Sequence, residues 1–265
     1  MIRTPAVAGT FYDGDAGRLR ALLKGYLSEA APVDAIGVMV PHAGYIYSGE
    51  IAGAVYSRIS VPESYLVLSP NHTGLGPPVS IMSSGGWETP LGTMAIDEDL
   101  AAAVKQGSVL IEEDRAAHQR EHSIEVQLPF LQFLSDAPFV PITLMGIDYG
   151  SCEKVASALA EAIRASSKRI LLVASSDMTH FESSTAAAAK DRLALDRMEA
   201  LDPKGLYDVV VKHKISMCGF IPATIMLLAA KLLGATSGTV IDYRNSGEVS
   251  GDYDQVVGYA GVIVG

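Results

Sequence analysis

The sequence predicts an α/β fold: a single-domain sandwich whose central, largely parallel or mixed sheet is flanked by helices. Three observations predict it. Short apolar, β-rich runs alternate with longer helical patterns along the 265 residues. Several of those runs are apolar throughout, as in strands covered on both faces. Hydrophobic residues make up 49% of the chain, enough for a sizeable core and far from the composition of a disordered chain. No internal repeat or low-complexity linker divides the sequence, so residues 1–265 read as one domain, an ordinary size for an α/β protein.

Each element follows from its local pattern. Residues 16–29 place Leu19, Leu22, Leu23 and Tyr26 on one helical face. The first strand, 35–40 (AIGVMV), is apolar and stops at Pro41, and a helix is expected over 48–58. The second strand, 65–69 (YLVLS), leads into a Gly/Pro-rich stretch, 71–93, that has room for short extra strands or a hairpin over the sheet. Asp97-Glu98-Asp99 supplies the acidic first turn of a helix over 97–105. Helices at 121–134, 151–166, 184–200, 203–212 and 218–233 alternate with strands at 139–144, 169–174, 238–242 and 256–264.

Composition narrows the function. Net charge is −10 and no basic patch stands out, which argues against nucleic acid as a partner. Lys168-Arg169 and Lys212-His213-Lys214 read as solvated helix ends. No run approaches the roughly 20 apolar residues of a membrane span, and the opening MIRTPAVAGTFYDGD lacks a signal core. A cytoplasmic protein with reduced thiols at Cys152 and Cys218 is the expectation. No G-x-S-x-G elbow surrounds Ser175 or Ser176. No dinucleotide fingerprint follows the first strand, and no phosphate-binding G-x-x-x-x-G-K-[ST] occurs.

In open α/β sheets ligands gather at the carboxyl ends of strands. Three strands end there in polar residues: Pro41-His42, then Asn71 and His72 in SPNHTG, then Asp177 and His180 in SSDMTHF. One histidine near a strand end is as easily structural. Three sharing that position predict a common polar rim, with Tyr47 in the loop after His42. Cys218 opens a long helical run, where a thiol is expected to have a lowered pKa; its bland reading is a small buried hydrophobe. Cys152 reads as structural. Glu121 and Glu125 stand one helical turn apart beside His122, either as a base, as groups orienting a metal-bound imidazole, or as a solvated helix start. His118 and His213 read as surface residues. Arg244 and Asn245 lie in a loop-like DYRNSGEVSGDYD that could reach the rim. Two or three imidazoles with a thiolate or carboxylate suit one transition metal ion, zinc, copper or iron, with a coordination position left open. Asp177 and His180 would then serve as acid/base groups.

Six motifs, PAVAGTFY, PHAGYIYSG, SPNH, EHSIEVQLPFL, SSDMTHF and MCGFIP, occur in this order from about residue 5 onward. Together they resemble the Memo family, also described as AmmeMemoRadiSam system protein B. The resemblance implies a fold similar to class III extradiol dioxygenases, which hold non-haem iron with two histidines and a glutamate. It implies His42, His72 and Cys218 as metal ligands, with Asp177 and His180 in the same pocket. A thiolate then stands where the dioxygenases have a carboxylate, and it favours copper or zinc as much as iron. Family association further implies AMMECR1-like and radical-SAM pathway partners. The leading expectation is a metal-dependent oxidoreductase. The rivals are a binding or copper-handling protein that uses the pocket for a peptide, a phospho-ligand or a metal, and a metal-dependent hydrolase.

Overall fold

The strands expected to be buried on both faces stand side by side at the centre of the computed structural model, which describes residues 1–265. In chain order the strands are β1 Ile2–Arg3, β2 Gly37–Val40, β3 Ser64–Pro70, β4 Val79–Ile81, β5 Gly86–Thr89, β6 Gly92–Ala95, β7 Glu112–Glu113, β8 Phe139–Leu144, β9 Ile170–Ser175, β10 His180–Glu182, β11 Gly238–Asn245 and β12 Val256–Val264. The main sheet runs β10-β12-β2-β9-β3-β8-β4-β7, and β11 also pairs with β12. Its four middle strands, β2, β9, β3 and β8, are parallel. Antiparallel β12 and β4 flank them, so the sheet is mixed. Every residue of β2, β3, β8 and β9 is buried, which accounts for their lack of alternation.

Helices cover both faces, and one hydrophobic cluster runs from Tyr12 to Val264, so the first helix, Ala16–Tyr26, and the last strand share a core. Asp15, Asp97, Asp148, Ser183 and Asp202 cap helix N-termini with their side chains. The stretch 71–93 yields β4 on the main sheet and begins the β5–β6 hairpin, which joins β1 in a separate small sheet. No helix is long and apolar enough to cross a membrane.

Three expectations are corrected. The helix anticipated over 121–134 is a 3-10 turn, Glu125–Gln127, followed by the α-helix Leu128–Leu134. Pro129 has no N–H to give and sits in the first turn, so the regular helix starts there. Glu121 and Glu125 therefore do not share a helical face. Glu125 turns away from the rim and clamps the N-terminal segment: it accepts from Arg3 at 2.5 Å, from the backbone of Ala6 and Val7 at 2.7 and 2.9 Å, and from the Tyr12 hydroxyl at 2.7 Å. The segment 242–245 continues β11 instead of forming a loop, because it pairs with β12 in register. His118 is not on the surface. It is fully buried, edge-on to Trp87 at 5.7 Å, on the short helix Ala116–Gln119 beneath the N-terminal strand. His213 is exposed and Cys152 is buried.

Two stability predictions follow from these buried groups. Burial, with the charge of Arg3 nearby, lowers the His118 pKa to about 4. The unfolded imidazole titrates near 6.5, so the unfolded state takes up a proton first as pH falls. Stability is expected to be intact above about pH 6.5 and to drop by roughly 3 kcal/mol between there and pH 4. Urea midpoints measured across that range should show the slope, and His118→Leu should flatten it. Glu125→Ala leaves Arg3 buried without its anion, and should cost about 3–5 kcal/mol in denaturant unfolding.

Candidate metal centre

The parallel strands β2, β9 and β3 are neighbours, so the residues that follow them meet at one edge. His42 follows β2, Asp177 and His180 follow β9, and His72 follows β3. His122 arrives from the turn before Glu125. The rings of His42 and His72 are 5.3 Å apart, those of His42 and His122 5.5 Å, and those of His72 and His122 stack at 4.6 Å. One donor atom from each of the three lies within 4.8 Å of the others, the spacing of a metal site. The cluster opens on a cavity of about 400 Å³ walled by Phe11, Tyr47, Asp177, His180, Val257 and Tyr259 among others.

A buried polar layer beneath the rings decides which nitrogen faces the cavity. Ser175 Oγ donates to the Ser123 carbonyl at 2.7 Å and accepts from the Gln127 amide at 2.8 Å. Gln127 cannot be flipped, because its oxygen accepts from the Tyr56 hydroxyl at 2.8 Å and its nitrogen also donates to the Pro41 carbonyl at 2.9 Å. Ser175 has already given its single proton, so its 2.9 Å contact with His42 Nδ1 requires the imidazole to donate. The Nε2 lone pair of His42 is left for the cavity. His72 is settled in the same way. Its Nδ1 lies 2.9 Å from Glu121 Oε1 and its backbone N–H donates to Oε2 at 2.6 Å. A carboxylate accepts, so Nδ1 carries the proton and Nε2 is free.

Glu121 is fully buried. Burial opposes its ionisation, but the hydrogen bond from His72 and the backbone and hydroxyl hydrogen bonds from Ser123 outweigh that and hold the carboxyl at about 2. His122 Nδ1 stands 3.5 Å from the same oxygen. Burial lowers the pKa of His42 far below the ordinary value, helped by His122 and His72, and lowers that of His122 as well. Neutral imidazoles are the form that binds a cation.

Cys218 Sγ lies 3.3 Å from His42 Nε2 and accepts the Asp177 N–H at 3.3 Å. The sulfur approaches from the His42 side, outside the three-imidazole set. Gly219, the N-cap of the helix Phe220–Leu232, allows that approach: a Cβ there would stand 2.4 Å from the Ser175 carbonyl oxygen. The thiol is not acidified by its place before a helix, as the sequence suggested. Burial and the neighbouring Asp177 charge push its pKa up. Asp177 accepts the His42 backbone N–H at 2.8 Å, tying two strand ends together, and burial raises its own pKa against that bond. His180 Nδ1 faces the Met178 and Ser216 carbonyls at 2.8 and 3.0 Å, which places the proton there.

The remaining candidates separate clearly. Tyr47 lines the cavity. Asn71 builds the loop that carries His72, accepting from the Thr73 and Gly74 backbone at 3.0 Å each. Arg244 sits on β11, paired with Asp242 at 3.0 Å and with Glu50, and takes no part in the cavity wall. Sequence reasoning kept His122 outside the set of rings, weighed Ser175 only as a nucleophile, and overlooked Ser123, Gln127 and Phe11. The Glu-His pair at 121–122 was the one local signal for the former. Nothing local marks the latter, whose contacts are distant in sequence apart from those of Ser123 with Glu121.

A model of the family described as Memo-like protein matches residues 3–263. A MEMO1 family protein of Methanopyrus kandleri is 39% identical over 99% of both chains. One from Aquifex aeolicus is 43% identical over 99% of this chain and 98% of its own. Among solved structures, the uncharacterized protein JW3007 from Escherichia coli K12 superposes with a TM-score of 0.60 at 13% identity, covering 86% of this chain and 99% of that one.

Removing an orienting group should weaken metal binding without unfolding the protein. Ser175→Ala and Glu121→Gln are each expected to reduce zinc affinity about 10–100-fold by calorimetric titration, with an unchanged circular dichroism spectrum.

Proposed function

This chain belongs to the Memo family, and from that premise we propose that it is a metal-dependent oxidoreductase acting on a small ligand bound in the 400 Å³ cavity. The observation that carries the reading is a cluster of three imidazoles at one open cavity, two of which, His42 and His72, engage Nδ1 in hydrogen bonds on the buried side. Donors of this kind suit iron, copper or zinc, and not the oxygen-seeking magnesium or calcium. His42 and His72 would hold the ion. His122 completes the set by proximity, while the family resemblance assigns the third position to Cys218. The ion would supply Lewis acidity and, if iron or copper, redox chemistry. Asp177 ties the His42 strand end to the Cys218 loop, and His180 offers Nε2 as a proton acceptor while its Nδ1 proton stays on backbone carbonyls. A buried thiol beside an imidazole favours a second reading, copper handling without turnover, since soft sulfur selects Cu(I).

Protein stripped with chelator and titrated with Fe(II), Cu(I) and Zn(II) should take up close to one ion per chain, and His72→Ala should lose at least tenfold in affinity. Oxygen uptake with catechol-like compounds by the iron form supports the oxidoreductase. Tight copper binding with no oxygen uptake and copper transfer to a chelating acceptor supports the second reading. Absence of stoichiometric binding of all three metals overturns both.

A further inference from the structure

Phe181 combines three features that folding does not explain. Its backbone lies in the left-handed region, with φ at +60°, where a bulky side chain is rare and disfavoured. It sits at an irregularity in the pairing of β10 with β12, between His180 and Glu182, a place where glycine meets the same conformation without strain. The residue is 74% exposed, so little burial offsets that conformation. The bulge itself has a clear use, since it turns His180 toward the cavity while its backbone N–H donates to Ser216 Oγ at 2.8 Å. A glycine would serve the bulge as well. The ring must answer to something else.

Its surroundings narrow the choice. The Phe181 ring stands 5.8 Å from the His180 imidazole, tilted by 60°, one residue beyond the cavity wall. Within the wall Phe11 packs on His122 at 4.9 Å, and Tyr47 and Tyr259 add further rings. No lysine or arginine lines the cavity, so any anionic donor of a ligand has to be met at the histidine cluster. Rings around a cluster of nitrogen donors suit a flat, unsaturated molecule carrying a metal-binding donor at one end.

We propose that Phe181 is a specificity-determining residue of this site, a strained exposed ring at the mouth of the cavity against which a planar ring of the ligand packs once its donor atoms reach the histidine cluster. The assignment rests on the reading of the cluster as an open metal site. Removing the ring frees the backbone from strain, so fold and ligand binding should respond in opposite directions.

The test compares the zinc-loaded wild-type protein with Phe181→Gly, Phe181→Asn and Phe181→Trp, using two probes. One is 4-nitrocatechol, a ring with two oxygen donors whose absorbance reports binding. The other is acetohydroxamate, a chelator without a ring. Phe181→Gly should keep or raise the thermal midpoint and keep zinc stoichiometry. It should weaken 4-nitrocatechol about three- to tenfold while leaving acetohydroxamate unchanged. Phe181→Asn, which also tolerates the left-handed backbone, should match the glycine variant, and Phe181→Trp should retain affinity. Equal 4-nitrocatechol affinity in wild type and Phe181→Gly overturns the assignment alone, as does an equal loss for both probes or a marked fall in thermal midpoint. If neither probe binds a wild-type protein that holds one zinc ion, the open-site reading falls and the assignment with it.

Discussion

Everything at the rim depends on the satisfaction of a few polar groups sealed beneath it. Glu121, Ser123, Gln127 and Ser175 are all buried, and a buried polar group without a partner is costly. Each is satisfied by the others, by backbone and, for Gln127, by the Tyr56 hydroxyl, until two acceptors remain: Ser175 Oγ and the Glu121 carboxylate. Both are filled by an imidazole Nδ1–H, from His42 and His72. The network leaves these rings one tautomer each, and the tautomer leaves Nε2 on the cavity side. Metal readiness is thus a consequence of core hydrogen bonding, set before any ion arrives.

The same layer explains why the site falls where the parallel strands end. Ser175 closes β9, Pro41 follows β2, and Pro70 closes β3. Gln127 reaches the Pro41 carbonyl, and the single Ser123 hydroxyl proton is shared between Glu121 Oε1 at 2.8 Å and the Pro70 carbonyl at 3.1 Å. Backbone carbonyls at the ends of interior strands lack sheet partners, and proline supplies no N–H there. The segment 121–127 answers them. It cannot be a helix while doing so, because its backbone must run across the strand ends, and that is why a stretch with helical periodicity folds as turns up to Leu128.

The fold was legible because parallel strands covered on both faces write themselves as apolar runs, and β2, β3, β8 and β9 appear within a residue or two of the predicted bounds. The rim was legible for the same reason: strand ends are visible, and histidines just past them stand out. What could not be read was whatever depended on long-range pairing. His118 is as polar in sequence as His213, and only the arrival of Arg3 and Trp87 distinguishes them. Glu125 and Glu121 differ by four positions and serve different tasks, one clamping the N-terminal segment and the other holding His72. Arg244 looked free because turn-forming residues follow it, yet register with Tyr259 on β12 keeps it in a strand.

Protonation links the two kinds of candidate ligand. Burial, and then the Asp177 charge, push the Cys218 thiol up, while burial raises the pKa of Asp177 itself. With no cation present the thiol therefore keeps its proton, and the free His42 Nε2, 3.3 Å away, is the nearer of the two acceptors it can reach, the Asp177 carbonyl lying at 3.7 Å. A divalent ion at His42 would remove that acceptor and replace it with positive charge, which drives a coordinating thiol to thiolate. Two neutral histidines and one thiolate would leave a net single positive charge beside the Asp177 carboxylate, whereas three neutral histidines would leave two. The buried anion at Asp177 thus favours either set over an empty site. The choice between sulfur and the third imidazole becomes a choice about whether a proton leaves when the metal binds.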